Sequence, residues 1–243
     1  MDASIEVVKQ LAPTGVLRAA VCTGNFLLVV DKTAAGEPVG PSPSIAAAIA
    51  DALGVPLKLV PFRTPSEIAE AAGKDIWDIG NIGAEPQRAV VMDFTAAYVE
   101  IEATYLVPAD SKIQSISEVD RTGNRISVAA GSAYALWLEN NIKHAELKAA
   151  PFNVAFEQFV DEKMEVFAGL RSHLTSLVEK LPGARVLDGQ FSSVQQAVGV
   201  NKGNTEAHIW LKQFVEDAKA TGMIARFIES HGVQGKLTVA PPA

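Results

Sequence analysis

Strand and helix signals alternate in two blocks along this chain, and that alternation constrains its fold more than any other feature. In the first block Val16–Val21 reads as a strand without Gly or Pro, and residues 45–53 read as a helix with Ile45, Ile49, Ala52 and Leu53 on one face. Ser42 is the expected N-cap of that helix, Pro43 its first residue and Gly54 its stop, by the usual preferences at helix ends. Leu57–Pro61 then reads as a strand, Ser66–Ala72 as a helix and Trp77–Ile79 as a third strand. Turn-forming residues at 106–111 break the pattern before a second block begins with strand 125–130 and a helix carrying Tyr134, Trp137 and Leu138. An aromatic stripe of Phe152, Phe156, Phe159 and Val160 reads as a further helix, followed by strand Met164–Ala168 and the stretches 185–187 and 194–200. The tail is helical, with Asn204 as cap, Ala207, Leu211, Phe214 and Ala218 as its apolar face, a break at Gly222, and a short helix through Ile224, Phe227 and Ile228. No repeat is visible. Strands alternating with helices pack as α/β layers in which helices cover a sheet.

A chain of 243 residues suffices for one large domain or two lobes of about 100 residues each. Hydrophobic residues at 48% and charged residues at 20% describe a globular protein rather than a disordered one. With 21 Lys and Arg against 28 Asp and Glu, the net charge of −7 argues against nucleic acid or an anionic membrane surface as a partner. The lone cysteine, Cys22, sits in an apolar run and reads as a small buried hydrophobe, so neither an internal disulfide nor a cysteine metal cluster can form. No apolar run approaches the roughly 20 residues of a membrane span. The opening residues 1–6 lack the basic start and apolar segment of an export signal, so either such a signal has been removed or the protein stays in the cytoplasm.

The stretch 78–88 carries the strongest functional signal: a short buried strand, a Gly-rich turn, and a Pro-started helical turn bearing Arg88. Backbone N–H groups at such a turn favour an anion, and an arginine fork can hold a carboxylate through two parallel hydrogen bonds. Asp93, Phe94 and Tyr98 follow closely.

These pieces together resemble the bacterial extracellular solute-binding proteins of family 3, the polar-amino-acid type of periplasmic binding protein. The resemblance rests on 14–21 as the opening strand, 36–40 with the Ala-rich helix ending at 53–55, and 77–88 with 92–94 and Tyr98. It continues through 116–119 with 125–132, and 197–204, all in the family's order. It implies a two-lobed, periplasmic-binding-protein-like (type II) α/β fold with two hinge crossings, near 106–110 and 193–198, and ligand held between the lobes by hinge closure. Lobe one would be residues 1–107 with 199–243, and lobe two 108–198.

By the same resemblance Arg88 matches the arginine that binds an amino acid's α-carboxylate, and Asn81 and Gly83 match strand-end positions offering side-chain or backbone groups. Ser132, at a helix start, matches the second-lobe group meeting the same carboxylate. An aromatic of the first loop aligns near Asn25 or Phe26, so Phe26 is either a ligand contact or a core residue beside Leu27 and Leu28. The family's other ligand-packing aromatic falls at Pro65, and serines replace acids in 40–44. Leu170 or Arg171 stands where an Asp would neutralise an α-ammonium. Burying an ammonium without its partner costs several kcal/mol, so an organic anion fits better than an ordinary amino acid. Arg88 and Arg171 would together suit a dicarboxylate, and His173 reads as a helix-surface residue.

The function expected is therefore that of a monomeric receptor passing a small carboxylate-bearing solute to an ABC-transporter membrane permease, without catalytic residue, cofactor or metal. It would be periplasmic or extracellular if a signal has been removed. A cyclohexadienyl-dehydratase-like lyase, with Glu85 or Glu165 as general acid, and a cytoplasmic metabolite sensor are the alternatives on the same scaffold.

Overall fold

The structure is a computed structural model describing residues 3–243; Met1 and Asp2, within the stretch read for an export signal, lie outside the described residues. The first elements are α1 (Ile5–Leu11), β1 (Leu17–Cys22), β2 (Asp31–Lys32), β3 (Pro38–Val39), α2 (Pro41–Leu53), β4 (Leu57–Phe62), α3 (Pro65–Glu70) and β5 (Ile79–Gly83). Next come β6 (Met92–Phe94), β7 (Val99–Val107), β8 (Arg125–Ala129), α4 (Ala133–Asn141), β9 (Glu146–Ala150), α5 (Ala155–Asp161), β10 (Val166–Leu170) and α6 (Arg171–Val178). The chain closes with β11 (Arg185–Val186), β12 (Ser192–Asn201), α7 (Thr205–Ala220), α8 (Met223–Ser230) and β13 (Thr238–Val239). It packs as two compact units, Met1–Glu100 with Gln195–Ala243, and Ile101–Val194. The chain changes unit inside β7, before the 106–110 crossing read from the sequence, and again inside β12, within 193–198.

In the first unit the strand order is β4-β1-β5-β12. β1 runs parallel to β4 and β5, with Leu17 opposite Leu57 and Ala19 opposite Ile79, while β12 is antiparallel to β5. All five residues of β5 are buried, as in a parallel strand covered on both faces. Here the sequence reading needs correction: residues 80–83 are strand, not a Gly-rich turn. The glycine is needed for close packing, since a Cβ on Gly80 would meet Ile68 Cγ2 at 3.1 Å and the Trp77 ring at 3.5 Å.

The start of α2 also differs from expectation. Its N-cap is Gly40 at φ 154°, Pro41 opens the helix, and Ser42 lies inside it at 1% exposure, making no cap. A Cβ on Gly40 would fall 2.3 Å from the Leu28 carbonyl oxygen, so only glycine fits the approach. Gly54 ends the helix in the left-handed conformation, as expected. Asn204 holds the N-cap position of α7, but its amide donates to the Gln10 carbonyl at 3.4 Å instead of capping.

The second unit orders its strands β7-β10-β8-β9, with β8 parallel to both β9 and β10. Phe156, Phe159 and Phe167 pack with ring centroids 5.5–6.1 Å apart in its core. Phe152 is not part of that stripe: it precedes α5, is 42% exposed and stacks on His173 at 5.8 Å.

Although no repeat was visible in the sequence, the units follow one path. β1–α2–β4–α3–β5 and β8–α4–β9–α5–β10 each place their first strand between the second and third. The Arg18 backbone N–H and Nε donate to Asp78 Oδ2 at 2.8 and 3.0 Å, and Nη2 donates to Oδ1 at 2.8 Å. The Arg125 N–H and Nε do the same to Glu165 Oε2 at 2.8 and 2.9 Å, with Nη2 on Oε1 at 2.9 Å. Each acid directly precedes the third strand of its unit. Each guanidinium also reaches the carbonyl of a left-handed residue, Asp75 at φ 57° or Lys163 at φ 49°.

Candidate functional site

In open α/β sheets, ligands bind outside the carboxyl ends of the parallel strands, where backbone groups and loop side chains are left over. In the first unit the loops after β1 and β5 occupy that edge. Asn25 Oδ1 accepts from the Leu27 N–H at 3.1 Å, closing a tight turn that buries Leu27 and Leu28 and leaves Phe26 68% exposed. Phe26 is therefore not a core residue. Asn81 points the other way: it is 1% exposed and its Nδ2 donates to the Ser42 carbonyl at 3.0 Å, which turns the carboxamide into the unit's interior.

Beyond Gly83 the chain makes a helical turn that brings Arg88 back over the strand end. Arg88 Nη1 donates to the Gly83 carbonyl at 2.9 Å, and the residue is 4% exposed. Burial pulls its pKa down to about 10, against the opposing charges of Glu85 and Cys22. Cys22, the last residue of β1, is a buried thiol whose pKa is raised by burial. The Glu85 carboxyl is pushed up by burial, with Arg88 acting in the opposite sense.

In the second unit Gly131, at φ 69°, turns the chain from β8 into α4. Ser132 caps that helix: its Oγ accepts from the Ala135 N–H at 3.1 Å and donates to the Ala129 carbonyl at 2.7 Å. Leu170 ends β10 and Arg171 opens α6. Arg171 Nε donates to Glu102 Oε2 at 2.5 Å, Nη1 to the Leu187 carbonyl at 3.4 Å, and Nη2 to the Gly189 carbonyl. Its fork braces three segments of its own unit. Glu165 lies at the opposite, amino end of β10, its pKa held down chiefly by hydrogen bonds from the Arg125 side chain. Burial lowers the pKa of His173, with Lys180 adding to the effect.

The expected residues thus gather at two strand-end edges: Asn25, Phe26, Gly83 and Arg88 in the first unit, and Ser132 with Leu170 and Arg171 in the second. Sequence reasoning missed Glu102 as the partner of Arg171 and Ser42 as the partner of Asn81, because both pairings are long-range. Among the described residues no cluster of His, Cys, Asp and Glu could hold a metal ion, and no helix is long and apolar enough to cross a membrane.

These two α/β units make a type II periplasmic-binding-protein fold. The chain belongs to the bacterial extracellular solute-binding proteins, family 3, whose pattern it matches over residues 20–234. An amino-acid ABC transporter substrate-binding protein from Streptococcus pneumoniae, solved bound to L-arginine, is 18% identical with a TM-score of 0.73, covering 92% of this chain and 97% of that one. The cysteine-binding protein from Campylobacter jejuni is 17% identical with a TM-score of 0.73, covering 92% of each chain. An ancestral amino-acid-binding protein, a precursor of cyclohexadienyl dehydratase, is 21% identical with a TM-score of 0.71, covering 92% of this chain and 98% of that one. No curated protein sequence matches the chain.

Proposed function

We propose that this protein is the extracytoplasmic receptor of an ABC transporter and captures a small carboxylate-bearing solute, with Arg88 as the partner of the carboxylate. The observation that carries this reading is the buried Arg88 guanidinium on the Gly83 carbonyl, at the carboxyl end of β5, in a chain of the solute-binding family. A charge-assisted hydrogen bond from such a guanidinium contributes about 1.5–3 kcal/mol. Similar folds bound to arginine or named for cysteine binding favour an amino acid. Leu170 at the end of β10 favours a ligand whose charge does not depend on a buried ammonium. Because Arg171 is already engaged by Glu102, a dicarboxylate would have to displace that pair, so a monocarboxylate fits better.

The test is a thermal-shift screen of amino acids, monocarboxylates, dicarboxylates and aromatic acids, run beside amines, amides and sugars that carry no carboxylate. A ligand at 100 times its dissociation constant stabilises by about 2.7 kcal/mol. A shift with at least one carboxylate-bearing compound is expected, and a response confined to neutral or cationic compounds lacking a carboxylate would reject the reading.

A lyase reading has one observation in its favour, the upward-shifted Glu85 carboxyl beside Arg88. Glu165 offers no such acid, because Arg125 holds it ionised. Release of product from prephenate or arogenate that is lost in Glu85→Gln would put the lyase reading first.

A further inference from the structure

We propose that Ser42, Asn81, Tyr98 and Gln196 enclose one buried water molecule inside the first unit, independently of which solute the protein captures. The four side chains belong to residues exposed by 1%, 1%, 1% and 6%, respectively. Ser42 Oγ, Asn81 Oδ1, Tyr98 OH and Gln196 Oε1 each lie fully buried, and none makes a well-aligned hydrogen bond within the protein, the Ser42 and Tyr98 hydroxyls lying within reach of one another.

Strand register and hydrogen bonding bring them together. Gln196 stands opposite Gly83 on β12 and Val198 stands opposite Asn81, so the Asn81 and Gln196 side chains project from the same face of the sheet as diagonal neighbours. Asn81 Nδ2 donates to the Ser42 carbonyl, which fixes the carboxamide so that Oδ1 is left for another donor. The Tyr98 N–H donates to the Gln196 carbonyl at 2.8 Å. Burial raises the phenol's pKa, while hydrogen bonding with the Ser42 side chain draws it down, so the two hydroxyls lie side by side.

The chemistry of the set matches water. Two amide oxygens only accept, and two hydroxyls can donate; a water molecule gives two protons to the first pair and offers two lone pairs to the second. Four polar partners are as many as a buried water makes. A monovalent cation would satisfy the oxygens but leave a hydroxyl proton without an acceptor. Leaving all four groups unpaired would be costly, which disfavours an empty cavity. The water would couple the first turn of α2 to β5 and β12, and thereby hold Asn81 two residues before the strand end that Arg88 caps.

A crystal structure at a resolution that shows ordered solvent, together with melting of Tyr98→Phe, tests this. Expected are a density peak within hydrogen-bond distance of at least three of the four atoms, and a melting temperature lower by about 2–4 °C in the variant. Asn81 Oδ1 and Gln196 Oε1 both paired directly with protein donors, an empty space between them, a cation identified by its coordination distances, or a variant melting at or above the parent temperature would each overturn it. If Tyr98→Phe does not fold, the density in the parent protein decides alone.

Discussion

Arg18 and Asp78 form a closed pair in which one carboxylate takes both the backbone and the side chain of one arginine, and the equivalent pair in the other unit, Arg125 with Glu165, repeats the pattern at different burial. The Arg18 and Asp78 side chains are 15% and 3% exposed, against 32% and 33% for Arg125 and Glu165. The same geometry should therefore differ in energetic weight. Asp78→Ala removes the buried carboxylate that takes the Arg18 N–H and fork, leaving the guanidinium only the exposed Asp75, with Nη2 to Asp75 Oδ1 at 2.7 Å, and is expected to lower stability by about 2–3 kcal/mol, whereas Glu165→Ala should cost about 1 kcal/mol. Urea denaturation of both variants checks the order, and equal losses would show that burial does not set the difference.

Acid should weaken the second unit through named carboxylates. The Glu165 pKa is lowered mainly by the Arg125 side chain. For Asp120 burial acts upward, but N–H bonds from Ala145, His144 and Lys143 outweigh it and the net direction is down. A carboxylate depressed in the folded state contributes stability that is present above its unfolded pKa of about 4 and is lost as pH falls through the folded value. Denaturation free energy measured from pH 6 downward should therefore decline below about pH 4. The decline should be shallower in Asp120→Ala, and an unchanged slope would remove Asp120 from the account.

Two glycines of left-handed conformation should respond differently to alanine. At Gly40 the new methyl would collide with the Leu28 backbone, while at Gly54 it would meet nothing within 4 Å. Gly54→Ala is expected to cost about 1 kcal/mol, the conformational term alone. Gly40→Ala should cost at least about 2 kcal/mol because it adds a backbone clash. Thermal melts of the two variants compare them directly.

Arg88→Lys separates charge from fork geometry. Lysine keeps the positive charge but not the planar pair of donors, so the melting shift given by the best carboxylate should shrink by more than half while the protein still folds. An undiminished shift would take the carboxylate away from Arg88.

Element positions were legible because hydrophobic periodicity reports directly on which faces are covered: β1, β4, α2, α3, α7 and α8 fall within a few residues of where the pattern put them, whereas α1 drew no expectation. β5 was misread because Gly80 and Gly83 look like turn residues until the neighbouring Trp77 ring is in place. Ser42 looked like a cap because its local sequence is that of a helix start, and only the distant Leu28 carbonyl shows that Gly40 holds the position. The Arg–acid pairs span 60 and 40 residues of sequence, beyond the reach of any local pattern. Motif position was enough to put Arg88 and Ser132 just beyond strand ends, but the commitment of Arg171 to Glu102 depends on a contact 69 residues away.

Both arginine anchors sit at the amino ends of the central strands, whereas the candidate ligand groups sit at the opposite ends, a strand length of roughly 16 Å away. On the proposed function, fastening and recognition would occupy separate rims of each half. Loops on the recognition rim can change length or chemistry while the fastening rim stays untouched, which leaves this scaffold free to exchange one guest for another without being refolded.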